Sequence, residues 1–319
     1  QRTAGRALQR SPAAKFRQEL LNQGGAGMAY TAAVTVGGQA IQGILDTGSY
    51  ELLVFSASCS TCGDVGQFYN DSRSPSHERG HLHSAHTFGS GTTESRLAFE
   101  DVVIGPLRSE RQYFWEVVGA DLPVAHGGGF QAIVGVGPPS TPRADSLAEA
   151  ERAEAMRRRV KADPTLRAPE SAKAVARDAI GLAEEQTLLE HFAVLSFSVC
   201  VRREEGSGGY FVWNDEAPQQ LPRGLFTAVP VVGNVTWGVR LANVRMQAVG
   251  GLEPAHIGCE GGCGALVDSG TSLLVLPTEA AQMALNAISM LHTDCSNLDA
   301  LPDLRFELGG RSFSLPPRA

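Results

Sequence analysis

Long apolar runs are missing from this chain. Nowhere in its 319 residues do apolar side chains approach the roughly 18 in succession that a membrane-crossing helix needs, so no membrane span is expected within these residues. A basic excess is missing too: 27 Lys and Arg stand against 34 Asp and Glu, a net charge of −7. That balance argues against a nucleic-acid partner, which requires a concentrated basic face. The chain starts at Gln1, with neither an initiator methionine nor the charged and apolar stretches of a signal peptide. It therefore reads as a processed or excerpted segment, and the missing signal carries no information about secretion. Cysteine is scarce, with close pairs at Cys59 and Cys62 and at Cys259 and Cys263, and single residues at Cys200 and Cys295. Zinc ribbons keep their pairs much nearer in sequence. Two local disulfides, each closing a small loop, fit better than a metal site and imply an oxidising compartment. What remains is an ordinary globular composition, 43% hydrophobic and 19% charged, in a chain long enough for two domains.

Within that composition one stretch stands out. Residues 44 to 55, ILDTGSYELLVF, place Asp46 between two apolar runs. An unpaired carboxylate buried there costs several kcal/mol or more, so the site must supply hydrogen bonds, shift the ionisation, or use the charge. Alone the motif decides nothing, because Asp before Gly is a common turn pair. A second copy exists at residues 265 to 277, ALVDSGTSLLVLP, with Asp268, Ser269, Gly270 and Thr271 in the frame of Asp46, Thr47, Gly48 and Ser49. Repetition of the whole frame makes chance a poor explanation.

Most of the chain reads as short strands. Residues 30 to 55 suggest a hairpin turned at a Gly-Gly pair and feeding the first motif, and residues 84 to 105 a second hairpin tipped by Gly89, Ser90 and Gly91. Strand signals continue in QAIVGVG and resume at FAVLSFSVCV, GGYFVW, FTAVPVV, WGVRLANVRMQAVG and GALVDSG. Residues 1 to 27 carry Arg2, Arg6, Arg10, Lys15 and Arg17 before the first acidic residue, Glu19, and read as a basic, weakly helical arm outside the core. Residues 140 to 186 are rich in Ala, Glu and Arg, with a capping-box pattern at 146 to 149 and Pro164 as a break. Two helices, 146 to 162 and 170 to 190, are expected there as a solvated surface insertion. One Asp motif in each half of a mostly β chain suggests two similar lobes, 28–139 and 187–319, with a cleft between them.

These landmarks, in this order, resemble the pepsin-like aspartic peptidases: ILDTGS, the Cys59 to Cys62 loop, the hairpin HTFGSGTTESRLAFEDVVIG, FQAIVGVG, CEGGCGALVDSGTS and CSNLDALPDLRFELGG. The resemblance covers about residues 28 to 139 and 187 to 317. It implies a bilobal, mostly β fold in which Asp46 and Asp268 share a proton and hold the attacking water, without cofactor or metal. It gives Gly48 and Gly270 the task of letting backbone and substrate approach, and Ser49 and Thr271 that of bonding the outer oxygens of the two carboxylates. The hairpin becomes the flap, with Phe88, Gly89, Ser90 and Gly91 against substrate, and Phe130 and Ile133 become walls of an apolar subsite. A peptide or protein is the implied partner of a monomeric enzyme in the secretory pathway, either extracellular or in an acidic vacuole-like or lysosome-like compartment. The basic arm becomes either the tail of an inhibitory propeptide or a disordered terminus.

The chain departs from the family in places. Family members carry a flap Tyr whose hydroxyl bonds a Trp indole behind the first motif, and here those positions are Phe88 and Leu53. Losing both partners orphans no donor, but flap closure is expected to be weaker or differently tuned. The family chain continues past FELGG to a second apolar-apolar-Gly segment that would also supply a partner for Cys295, so the C-terminal lobe reads as incomplete. Cys200, on a strand, is expected to be a buried thiol. The leading expectation is an aspartic endopeptidase cutting between bulky apolar residues; the alternative is a weak or inactive relative that binds peptides in its cleft.

Overall fold

The computed structural model describes residues 15–23, 29–63, 66–138, 141–162, 170–202, 206–216, 226–233, 236–247 and 254–318. Its contacts divide the chain into two compact units, Gln1–Leu221 and Pro222–Ala319.

The first unit is built on strands β1 (Phe16–Asn22), β2 (Tyr30–Val36), β3 (Gln39–Asp46), β4 (Leu52–Phe55), β5 (Glu78–Phe88), β6 (Gly91–Ile104), β7 (Leu107–Asp121), β8 (Ala132–Gly135), β9 (Phe197–Val201) and β10 (Gly209–Trp213). They form one sheet in the order β5-β6-β7-β4-β8-β3-β2-β1-β10-β9, with β6 also pairing β2. The β2–β3 hairpin turns at Gly37 and Gly38, both at positive φ. A Cβ on Gly37 would lie 2.6 Å from the Glu100 carboxylate, which leaves glycine as the residue that fits. All four residues of β4 are buried because the strand runs between β7 and β8 with both faces covered. Alternate side chains serve two cores: Leu52 and Val54 join Val34, Leu45, Phe114 and Val134, while Leu53 and Phe55 join Trp115, Phe130 and Ile133.

Buried carboxylates in this unit are fully engaged. Glu116, with no exposed surface, accepts from Ser56 Oγ at 2.6 Å and from Arg96 Nε and Nη2 at 2.8 Å each. Arg96 also reaches Asp71 at 3.2 Å. Glu100 accepts from Tyr69, Ser74, Ser76 and its neighbour's backbone N–H. Burial, and then the charge of Glu100, push the Tyr69 hydroxyl well above the usual range. Asp71, His77 and Glu116 lie close enough to suggest a cation site, but the Arg96 guanidinium already bonds both carboxylates.

Several expectations fail here. Residues 16 to 22 of the supposed arm are the inner strand β1, pairing with β2 and β10. Arg17 and Glu19 point outward while Leu20 is buried and Gln18 accepts the Trp213 indole N–H at 3.0 Å and donates to Ala33 O at 2.7 Å. A buried but hydrogen-bonded glutamine hides the strand's alternation. Lys15 is paired with Asp215 at 2.6 Å, and residues 1 to 14 lie outside those described. The helical insertion is also less solvated than expected. It comprises α1 (Thr141–Ala162), α2 (Glu170–Glu184) and α3 (Leu188–His191). Helix α2 buries Ala176, Ala179, Leu182 and Ala183, with Ala179 and Leu182 inside the second core. The single helix expected over 170 to 190 is interrupted before Thr187, which caps α3 in a reciprocal box with Glu190. Strands β9 and β10 attach residues beyond 187 to the first unit's sheet, whereas the sequence pattern opens the second lobe at 187.

The second unit has strands β11 (Gly238–Met246), β12 (Ala255–Gly258), β13 (Cys263–Leu266), β14 (Leu304–Leu308) and β15 (Arg311–Leu315) and helix α4 (Thr278–Ala287). The sheet runs β12-β11-β14-β15, with β13 also on β11. Its core is small: Val244, Met246 and Ile257, with Ala280, Ala284 and Phe306 packed against them. The run FTAVPVV, expected as a strand, makes one isolated bridge, Val231 to Val239, its Pro230 lacking a ladder donor. Leu274 and Val275, which fall on Leu52 and Leu53 of buried β4 in the shared frame, are 66% and 80% exposed, and Leu273 before them is 71% exposed.

Two measurements test the charge network. Replacing Arg96 by Met strands Glu116 in the core and is expected to lower unfolding free energy by about 3 to 5 kcal/mol in urea titrations; a loss under about 1 kcal/mol would contradict this. Burial works to raise Asp71, but hydrogen bonds from Arg79 and Ser72 and the charge of Arg96 outweigh it and hold the carboxyl below its usual range. A depressed carboxyl stabilises the fold above its unfolded value, roughly 3.9, and that stability is lost as pH falls through the lower folded value. Thermal midpoints of Asp71→Asn are therefore expected below wild type near neutrality and equal to it in strong acid.

Candidate active site

Each Asp motif closes on itself. In the first unit Asp46 ends β3 and is 6% exposed. Its Oδ1 accepts Gly48 N–H at 2.9 Å and its Oδ2 accepts the Ser49 hydroxyl. In the second unit Asp268 Oδ1 accepts Gly270 N–H at 2.7 Å and Oδ2 accepts the Thr271 hydroxyl at 2.5 Å. The two loops thus use the same donors at the same offsets. Asp268 is half-buried and its loop more open than that of Asp46.

What fixes the first loop is β8 and the residues after it. Strand β8 runs parallel to β3, with Asp46 opposite Gly135, and antiparallel to β4, with Leu53 opposite Ile133. Three successive N–H groups then reach across: Gly135 to Glu51 O at 2.9 Å, Val136 to Asp46 O at 2.8 Å and Gly137 to Ser49 O at 2.8 Å. The glycines are a steric necessity, since a Cβ on Gly135 would sit 2.4 Å from Glu51 N and one on Gly137 2.7 Å from Ser49 O.

The hairpin expected as the flap is present. Strands β5 and β6 pair through to Phe88 opposite Gly91, leaving Gly89 and Ser90 as an exposed tip. Gly91 has φ near 152° and a Cβ there would meet Asp121 O at 2.0 Å, so its place is reserved for glycine. Phe88 is half-buried against the core that holds Leu53 and Trp115. Phe130 is 2% exposed and packs on Phe55, with ring centroids 5.8 Å apart, so it fills the core instead of facing open space. Ile133 is buried in the same cluster.

Both local disulfides are formed, Cys59 to Cys62 and Cys259 to Cys263. The second closes the turn between β12 and β13, directly before the Asp268 loop. Cys200, expected to be buried, is half-buried on β9, and Cys295 is an exposed thiol. No described helix is long and apolar enough to cross a membrane. Asn70, which opens the acceptor-type triplet Asn70-Asp71-Ser72, caps the short turn 71 to 73 through its side-chain oxygen, while Asn234 of the triplet 234 to 236 lies outside the described residues.

A family model for eukaryotic aspartyl protease matches residues 29–164 and 170–319, which is most of the chain. The chain belongs to that family. Renin of Rattus norvegicus is 27% identical over 87% of the chain, pepsin A of Sus scrofa 26% over 86%, and cathepsin D of Clupea harengus 25% over 85%. The chain spans 61% to 63% of the lengths of these three relatives. Against the aspartyl protease pattern, one set of residues escaped the reading of the sequence: Glu51, which bonds both His86 on the flap strand and the Trp115 indole. The available signal was Glu51 itself, a carboxylate set directly before four consecutive buried residues.

Gly135→Ala is expected to push the chain at Tyr50 and Glu51 away from β8 and to cost about 3 kcal/mol of stability. Urea unfolding of the variant measures it, and a cost below about 1 kcal/mol would show that this crossing does not constrain the loop.

Proposed function

We propose that this aspartyl protease family member is an endopeptidase in which Asp46 and Asp268 together activate water for attack on a peptide bond. The observation that carries the reading is the matched pair of loops, each with a backbone N–H on one carboxylate oxygen and a hydroxyl on the other. One carboxylate accepts a proton from the water as it adds to the scissile carbonyl. The other, protonated, donates to the developing oxyanion, and a proton then passes to the departing amine. Two neighbouring carboxyls of this kind titrate as a pair, which keeps one proton shared between them in acid. Apolar residues around the cleaved bond suit the Phe88 ring on the flap. A peptide or protein is the substrate, the working form a monomer, and the two disulfides fit the secretory pathway, either outside the cell or in an acidic vesicle.

A second reading is favoured by Phe88 and Leu53, which lack the hydroxyl and indole found in relatives: a cleft that binds peptides and turns them over slowly or not at all. Cleavage of a quenched fluorescent peptide with two central apolar residues, followed from about pH 3 to about pH 7, separates the two. Activity in acid that falls by about a thousandfold or more in Asp46→Asn and in Asp268→Asn is the expected result. A folded wild type that binds a statine-type peptide yet cleaves nothing would replace the enzyme with the binder.

A further inference from the structure

The flap lacks its hydroxyl and the strand behind the first motif lacks its indole, yet flap and floor are joined through a different set of atoms. His86 lies on β5 two residues before Phe88, and Glu51 lies in the loop between Asp46 and β4. Glu51 Oε2 is 2.8 Å from His86 Nε2, and Glu51 Oε1 accepts the Trp115 indole N–H at 2.7 Å. Trp115 sits opposite Leu53 in the parallel register of β4 and β7, so an indole stands one strand away from the position that Leu53 occupies. The imidazole and indole rings are 5.3 Å apart. The group is sheltered: Trp115 is 5% exposed, and the side chains of His86 and Glu51 are 14% and 17% exposed. Gly135 N–H fixes the Glu51 backbone to β8, and Ser95 Oγ lies 3.5 Å from His86 Nδ1 on the other side of the ring.

A neutral imidazole gives the Glu51 carboxylate a hydrogen bond with one charged partner. A protonated one keeps the same geometry and makes both partners charged, adding a Coulomb attraction that sheltering from water strengthens. The neighbouring ionisable groups leave this pairing intact. On β7, Glu116 is taken by Arg96 and Ser56, and the Tyr113 hydroxyl is pushed up by burial first and by Glu51 second. On β6, Arg96 is held by Glu116 and Asp71, and Glu94 stands opposite Ala85 next to His86. His83 is on the same strand as His86, three residues back.

We propose that Glu51 is a positioning residue for the flap, bridging His86 on the flap strand to Trp115 on the floor, and that the bridge tightens over bound peptide when His86 takes a proton. It rests on the peptidase reading only for the identity of what the flap covers; the bridge itself can be observed without catalysis.

The test has two readouts on the full protein. The first is the indole N–H resonance of Trp115, assigned by its loss in Trp115→Phe, followed from about pH 4 to about pH 8. It should move in one step in wild type and stay flat in His86→Gln, which keeps a donor that cannot gain charge. A resonance that follows the same curve in His86→Gln overturns the proposal. The second is peptide affinity, read as KM for a cleaved peptide or as binding of a statine-type peptide. Glu51→Ala should weaken binding in acid by about tenfold and lower kcat less. Glu51→Gln, which retains an acceptor, should recover most of the binding near neutrality while losing the gain in acid. A folded Glu51→Ala protein that binds as tightly as wild type at every pH also overturns it. If Trp115 titrates as expected but the wild type neither cleaves nor binds peptide, the bridge stands and the peptidase reading falls.

Discussion

Three backbone hydrogen bonds carry the first half of this protein. Gly135, Val136 and Gly137 donate in turn to Glu51, Asp46 and Ser49, locking the loop that holds Asp46 between two strands running in opposite directions. A carboxylate buried as deeply as Asp46 persists because this crossing presents it to fixed donors, the Gly48 N–H and the Ser49 hydroxyl, instead of leaving it to find its own. The glycines at 135 and 137 follow from the same constraint, since the chains approach too closely for any side chain.

Outward from that crossing, the structure repeats one solution for buried charge. Glu116 is held by Arg96 and Ser56, Glu100 by Tyr69 and two serines, and Glu51 by His86 and Trp115. Each carboxylate ties a long hairpin strand to an element from elsewhere in the chain, and each would be costly if a single partner were removed. The flap therefore projects from a base that is fixed by polar contacts as much as by packing, leaving Gly89 and Ser90 as its exposed tip. In the second unit the Asp268 loop reproduces the carboxylate bonding of Asp46, but with the following apolar residues Leu273 to Val275 exposed, so its local geometry rests on the Cys259–Cys263 turn and on β11.

Much of this was legible where chemistry is local. The Asp-Thr-Gly-Ser and Asp-Ser-Gly-Thr frames, the Gly-Gly and Gly-Ser-Gly turns and the two short cysteine loops act over a few residues, and the structure realises them as written. Strand β1 was hidden because Gln18 reads as polar while its amide is buried between Ala33 O and the Trp213 indole. Helix α2 was read as solvated because its buried face is alanine, Ala176, Ala179 and Ala183, among many charges. The Glu51, His86 and Trp115 bridge joins positions 35 and 64 residues apart, and no local pattern announces a contact of that kind. Phe130, expected as a wall of an apolar subsite, packs its ring on Phe55, a contact that no local pattern announces.

The proposed function requires that Asp46 and Asp268 act together as one pair. The most direct measurement is the carboxyl carbon titration of Asp46 by NMR, in wild type and in Asp268→Asn. Interacting carboxyls lose their protons in steps that belong to the pair, so removing one must move the other's curve. The account predicts that the Asp46 titration shifts and collapses to a single step when Asp268 is neutralised. Superimposable curves for the two proteins would contradict it, leaving two independent aspartates on a peptidase-like fold.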